Sequence, residues 1–282
     1  MIEVIQSSSS VSYQDLGRFG YRKLGVPPAG VMDRSSAQLA NQLLGNLPND
    51  LLIEIGPGGL EVELHGASWL ALAGCATSQQ LPSGTAREFF PGEKIKIGGS
   101  SEGLWSYLAA PGGWTAFSSF GSCSYHSRSE MGLKIDTGDQ LRFQSALDFP
   151  SVHSRYSADQ ALDFLSPPTL RLHRGPHFDE FLTAERERLV NHQWQVSPSS
   201  DRSGYQLTGH SLQGSGTISS LPVLVGSLQV PPSGEPIVTL NDGPTVGGYP
   251  IIAVIEFEDL PYFVQRPPFS NINFTWYDET PS

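Results

Sequence analysis

The sequence predicts a mostly β protein, and three observations carry that prediction. Thirty glycines and 22 prolines are many for a helical chain of 282 residues and suit a fold rich in tight turns. Short apolar runs recur with period-two alternation or β-branched character, as strands require. Turns bearing Gly or Pro separate these runs at the rhythm of a barrel or a sandwich. The length allows one large β domain or two of ordinary size.

The elements follow in order. Tyr13 to Asn46 reads YQDLGRFGYRKLGVPPAGVMDRSSAQLANQLLGN, with five glycines and two adjacent prolines beside three arginines and two aspartates. Gly reaches φ values closed to other residues and Pro fixes φ, so this is a rigid loop that holds charged groups in set positions. It ends in a helix with Asp33 as N-cap, running through Ala37, Ala40 and Leu44 and stopping at Gly45-Asn46. Strands are expected at Leu60 to Leu64, Trp69 to Ala73, Lys94 to Ile97, Leu104 to Ala109 and Gln140 to Phe143. Gln144 to Pro168 breaks the rhythm with a helical piece, ADQALDFL, and then two prolines. Residues 1–150 therefore read as a first half, 151–168 as a link and 169–282 as a second half. In the second half strands are expected at Thr169 to His173, Gln193 to Val196, Tyr205 to Thr208, Ile237 to Leu240 and Ile251 to Ile255, with a helix around Phe178 to Val190.

Two short motifs echo between the halves. Arg18-Phe19-Gly20-Tyr21 resembles Arg202-Ser203-Gly204-Tyr205, and Val26-Pro27-Pro28-Ala29-Gly30 resembles Val230-Pro231-Pro232-Ser233-Gly234. Their order is kept while their offsets differ, so both duplication and chance stay open.

A formal charge of −11 argues against a general nucleic-acid binder, which needs a basic face. Local arginines can still receive an anionic substrate. The opening MIEVIQSSSS lacks a basic, apolar leader, and no apolar run approaches the length of a membrane span. Two separated cysteines, Cys75 and Cys123, read as free thiols of a cytoplasmic protein.

Three clusters carry candidate chemistry. In the first, Asp15, Arg18, Tyr21, Asp33 and Arg34, arginines on glycine-supported loops can grip a carboxylate or phosphate; Asp33 reads as a cap. The second, Ser199 to Tyr205, sets Asp201-Arg202 before a glycine and a strand, and a solvated turn explains it equally well. In the third, Asn241 to Pro250, consecutive amides near Gly247-Gly248 suit an anion nest and Asp242 suits a base. His173 and His177 have metal-like spacing, but Pro176 lies between them, and no metal site is expected. Gly99 to Gly103 fits GxSxG by letter, yet reads as a hairpin turn between strands. No GxxxxGK[ST] phosphate loop occurs.

With these clusters in order, the chain resembles the C-type subunit of the bacterial ATP-hydrolysing 5-oxoprolinase. That family is also described as allophanate hydrolase subunit 2, or the biotin-dependent carboxyltransferase domain, subdomains A and B. The resemblance rests on the opening segment, on Leu52-Ile53-Glu54-Ile55 with Gly58-Gly59, on Ala110-Pro111-Gly112-Gly113, and on Ser200-Asp201-Arg202 with Gly204-Tyr205. Gln229 to Gly234 and Gly247-Gly248-Tyr249-Pro250 complete it. The chain departs from the family pattern at Pro244-Thr245-Val246, at Ile251, at Gly121-Ser122-Cys123-Ser124-Tyr125 and at Ala73-Gly74-Cys75-Ala76, losing three charged groups.

The resemblance implies two cyclophilin-like β-barrel halves with a few short helices. It implies ATP-dependent opening of the lactam 5-oxo-L-proline to L-glutamate, with ATP used by a hetero-oligomeric complex. The implied partners are the B-type protein of the 5-oxoprolinase, from the allophanate hydrolase subunit 1 family, and its A-type protein. It makes Asp242, Arg18 and Arg202 the catalytic candidates. Asp15, Tyr21, Arg34, Asp201, Thr245, Gly247, Gly248 and Tyr249 become the substrate-binding candidates. A non-catalytic binding module, like the antagonist of a sporulation-kinase inhibitor, is the alternative, and the lost charges favour it. A carboxyltransferase half acting with biotin ranks last, because the chain has no biotin-accepting Met-Lys pair.

Overall fold

A computed structural model describes residues 1–144, 168–214 and 216–277. The link expected at 151–168, Pro168 apart, and its helical piece lie outside the described residues. The chain divides into two compact units: Met1–Arg18 with Ala29–Phe164, and Phe19–Pro28 with Leu165–Ser282. The motif-rich opening segment is thus split, since Phe19–Pro28 belongs with the second unit.

The first unit holds β1 (Ile2–Ser7), β2 (Val11–Gln14), α1 (Arg34–Leu43), β3 (Leu52–Ile55), β4 (Leu60–Leu64), β5 (Ser68–Gly74), β6 (Thr85–Phe89), β7 (Lys94–Ile97), β8 (Ser106–Ala109) and β9 (Gln140–Leu141). They form a four-stranded sheet, β7-β4-β1-β9, and a five-stranded one, β2-β3-β8-β5-β6. Both sheets feed one apolar core that includes Val4, Ile53, Val62, Leu72, Ile95 and Leu108. Alternation sets the faces. Leu60, Val62 and Leu64 are buried, at about 1.5–3 kcal/mol each. Glu61 and Glu63 stand across from Lys96 and Lys94 on β7, so the pairing also matches opposite charges. Asp33 caps α1, accepting from the Ser36 amide at 3.0 Å, as the sequence predicts.

The second unit holds β10 (Thr169–Arg174), α2 (Thr183–Asn191), β11 (Trp194–Val196), β12 (Gly204–Thr208), β13 (Leu221–Pro222), β14 (Ser227–Gln229), β15 (Ile237–Thr239), β16 (Val246–Gly247), β17 (Ile251–Ile255), α3 (Leu260–Val264) and β18 (Asn271–Trp276). Seven strands close a barrel in the order β10-β17-β14-β15-β12-β11-β18, sealed by the parallel pair β10–β18. Closure leaves no sheet edge for stray pairing. β13 and β16 form a separate two-stranded ladder.

Two expectations are corrected. The helix expected over Phe178 to Val190 is a 3₁₀ turn, Phe178–Glu180, followed by α2. Phe181 breaks between them with extended backbone, so that Phe178 and Phe181 are buried while Leu182 is exposed. Gly99 to Gly103 is no hairpin turn, because β7 and β8 belong to different sheets and the segment is a crossover. No helix among the described residues is long and apolar enough to cross a membrane.

Candidate functional site

In the first unit Asp15 is buried and its carboxylate is the hub of a loop. Oδ1 accepts from Gly17 N at 2.8 Å, Ser122 Oγ at 2.6 Å and Ser124 Oγ at 2.7 Å; Oδ2 accepts from Cys123 N at 2.8 Å. The Asp15 amide donates back to Ser124 Oγ at 3.0 Å. Gly17 can turn its N–H onto Asp15 because its φ is 98°, in the left-handed region. Arg18 is 1% exposed and binds the same loop, donating from Nη2 to Ser124 O at 2.5 Å and from Nε to Ser119 O at 3.4 Å. Ser119 and Ser122 pair across Phe120-Gly121, whose φ values of 52° and 76° make a two-residue hairpin turn. Asp15 and Arg18, of opposite charge, therefore converge on one loop, residues 119–124.

A second buried network lies under the start of α1. Glu54 Oε2 accepts from Met32 N at 2.7 Å and from Tyr107 OH at 2.9 Å, while Tyr107 OH accepts from Asp33 N at 2.7 Å. Glu54, Tyr107 and Asp33 are all 0% exposed. Burial, with the charges of Glu54 and Asp33 adding to it, holds the Tyr107 phenol well above its ordinary pKa, so it stays a neutral donor. The network fixes the backbone that presents Arg34, a half-buried cation at the first position of α1. The helix dipole does not favour a cation there.

In the second unit Arg202 and Asp242 form a two-pronged pair, Nε to Oδ2 at 2.9 Å and Nη2 to Oδ1 at 3.0 Å. The Asp242 amide also donates to Arg202 O at 3.0 Å, so backbone and side chains tie the two segments together. Asp242 is 6% exposed. Asp201 shapes the turn before β12, accepting from Ser203 N at 2.7 Å and Gly204 N at 3.3 Å. The segment after Asp242 holds Thr245, Gly247, Gly248 and Tyr249. Neither Gly247 nor Gly248 is among the glycines with left-handed backbone. Glycine is required at 247 for space instead: a Cβ there would lie 2.5 Å from Gln229 Oε1. Gln229 cannot easily yield, being buried and bonded from Nε2 to Thr239 Oγ1 at 2.6 Å.

Sequence reasoning did not single out Arg22, Gln229, Glu54 or Tyr107. Arg22 lies in the second unit with Tyr21, on a 3₁₀ turn, Arg22–Leu24, stopped by the left-handed Gly25. Its guanidinium donates to Val223 O and, at 3.5 Å, to Thr245 O. Burial lowers its pKa. A lone carboxylate inside the fully buried strand LIEI was the available signal for Glu54. His173 meets Glu256 Oε2 at 2.6 Å, and His177 Nδ1 accepts from Ile251 N at 3.1 Å, so the two rings serve different partners. Among the described residues no group of three or more His, Cys, Asp or Glu side chains gathers as a metal site would. Both cysteines are free, and burial pushes Cys75 up to about 11 and raises Cys123 as well.

The structure defines a mostly β domain of two units, each carrying polar loops set by buried ion and amide contacts. The chain belongs to the family of the carboxyltransferase domain, subdomains A and B, whose model matches residues 24–276. Its sequence is 31% identical over 285 residues to the C-type subunit of 5-oxoprolinase from Escherichia coli, covering 97% of this chain and 90% of that protein. It is 29% identical to urea amidolyase of Lachancea kluyveri, covering 96% of this chain and 17% of that one. Among solved structures it superposes on TTHA0988 with a TM-score of 0.84 at 29% identity, over 97% of this chain and 55% of that one. On the Kluyveromyces lactis urea carboxylase the TM-score is 0.88 at 26% identity, over 97% and 27%. The chain thus spans about half of the first of these structures and a smaller part of the fungal enzymes.

Proposed function

We propose that this chain is one subunit of an ATP-dependent complex that opens the lactam of 5-oxo-L-proline to L-glutamate. The single observation that carries the reading is the near end-to-end match to the C-type 5-oxoprolinase subunit, 97% of this chain against 90% of that protein. A lactam is a poor electrophile. ATP, when bound by the complex, would activate the lactam oxygen so that water can attack the carbon. In the 241–250 loop close packing accounts for Gly243 and Gly247, while a Cβ at Gly248 would meet only Ile218 O at 3.5 Å, and no step through ATP is assigned to this chain.

This chain's part is to bind and orient. Thr245, Gly247, Gly248 and Tyr249 form the substrate-facing loop, and the Arg202–Asp242 pair anchors the segment that leads into it. Asp15 and Arg18 set the 119–124 loop, while Tyr21, Arg34 and Asp201 are the remaining substrate-binding candidates. Asp242 is the candidate for positioning water; held two-pronged by Arg202, it does so through the loop it anchors. The partners are the B-type and A-type proteins of a 5-oxoprolinase, in the cytoplasm.

The second reading is a non-catalytic binding module. It is favoured by the geometry of Asp15 and Asp242, whose carboxylates are both occupied by internal donors. The test is to reconstitute the complex with Arg18→Ala and follow ATP-dependent glutamate release. The enzymatic reading expects release to be abolished. Full activity contradicts it, and a tight wild-type complex without turnover supports the module.

A further inference from the structure

The loop assigned above to substrate contains a weak point. Among the described residues its strand β16 pairs only with β13, and each strand has two residues. A ladder so short is not stable by itself in water. Something outside the ladder has to hold it. Arg22 is placed to do so. Its Nη2 donates to the carbonyl of Val223 and reaches that of Thr245 at 3.5 Å. These residues extend the ladder by one more step, with Val223 N donating to Thr245 O at 3.1 Å. Arg22 is thereby tied to residues more than 200 positions away in the chain.

The aim of Arg22 is set locally. Gly20 and Gly25 bracket the 3₁₀ turn with φ of 89° and 78°, and a Cβ at either would meet nothing. These glycines are there for backbone shape. Gly25 N closes the turn on Arg22 O at 2.9 Å. At the far end of the loop, Gly247 lies against the Gln229–Thr239 pair and Ile218 N donates to Gly248 O at 2.9 Å. With both ends held, Val246 and Tyr249 are displayed at 53% and 36% exposure.

We infer that Arg22 is a positioning residue: it clamps the carbonyls of Val223 and Thr245 and so sets the Thr245–Tyr249 loop for substrate. The role in substrate binding rests on the function proposed above; the clamp itself does not. Both carbonyls are met by one nitrogen, Nη2, whose two N–H bonds are fixed in the guanidinium plane, a direction the rotatable ammonium of lysine does not hold.

The test has two arms on the full chain carrying Arg22→Gln or Arg22→Lys. Hydrogen exchange of the chain alone should quicken about tenfold at the amides of Val223 and Gly247, the ladder's bonded positions, in the Gln variant, and less in the Lys variant, with β17 unchanged. In the reconstituted complex the KM for 5-oxo-L-proline should rise about tenfold in the Gln variant with kcat within about twofold, and Lys should restore part of it. Unchanged exchange at both amides overturns the clamp. Faster exchange with KM unchanged overturns its role in substrate binding. If the wild-type complex does not turn over 5-oxo-L-proline, the functional reading fails, and the exchange arm still decides the clamp.

Discussion

Replacing Asp15 with Ala removes the acceptor of four donors at once. Two of them, the hydroxyls of Ser122 and Ser124, can rotate, and each also accepts a backbone N–H. The other two, the amides of Gly17 and Cys123, are fixed by the chain and would lose their acceptor in a half-buried loop. A buried donor without a partner costs about 1–3 kcal/mol, so Asp15→Ala should destabilise by about 2–6 kcal/mol. That is a large share of the roughly 5–15 kcal/mol that holds a domain together. Asp15→Asn keeps the volume but turns an NH₂ toward one of the donors, and should cost about 1–3 kcal/mol. Urea unfolding followed by tryptophan fluorescence measures both. A loss below about 0.5 kcal/mol for Asp15→Ala would refute the hub, since it would mean that the 119–124 loop does not depend on this carboxylate.

Arg202→Met should cost about 3–5 kcal/mol, because it takes the two-pronged partner from a buried carboxylate, whereas the double variant Arg202→Met, Asp242→Leu should cost less than the single one. The same unfolding assay decides, and a double variant worse than the single would contradict the pairing. Gly247→Ala should cost about 1–3 kcal/mol by overpacking against Gln229, and adding Gln229→Ala should relieve part of it in a double-mutant cycle. Cys75, held near 11, should resist alkylation at pH 8, where only about one thiol in a thousand would be ionised, and should react increasingly as pH rises toward 11. The stability it lends is present below its unfolded value near 9 and is lost as pH rises through 11, because the unfolded thiol ionises first. Rapid alkylation of Cys75 in the folded chain at pH 8, read by mass spectrometry, would contradict the burial.

Much of the fold was legible because alternation is a local signal. LEVEL and KIKI declare their buried faces, to which the structure adds their charge-matched pairing, and Asp33 before RSSAQLANQL declares a capped helix. Strands such as β6, a polar edge with one buried residue at Phe89, and β16, two residues long, carry no such period. The break at Phe181 was hidden because Phe178 and Phe181 sit at helical spacing, yet a 3₁₀ turn buries both. One of the two echoes between halves has a structural counterpart: Gly30 and Gly234 both take left-handed φ, and a Cβ at either would lie within 2.9 Å of backbone. At the candidate site the sequence offers loops and side chains but not what those residues touch. Arg22 pairs with carbonyls, which have no sequence identity to read, and Gly247 is explained by a distant glutamine, Gln229, whose approach only folding creates. Pairings of that kind depend on three-dimensional register, and no local period encodes them.

The most direct test reconstitutes this chain with its A-type and B-type partner proteins and measures L-glutamate from 5-oxo-L-proline, with each component and ATP omitted in turn. The proposed function predicts release that requires ATP and falls to background when this chain alone is left out. Release that continues at an undiminished rate without this chain would contradict it.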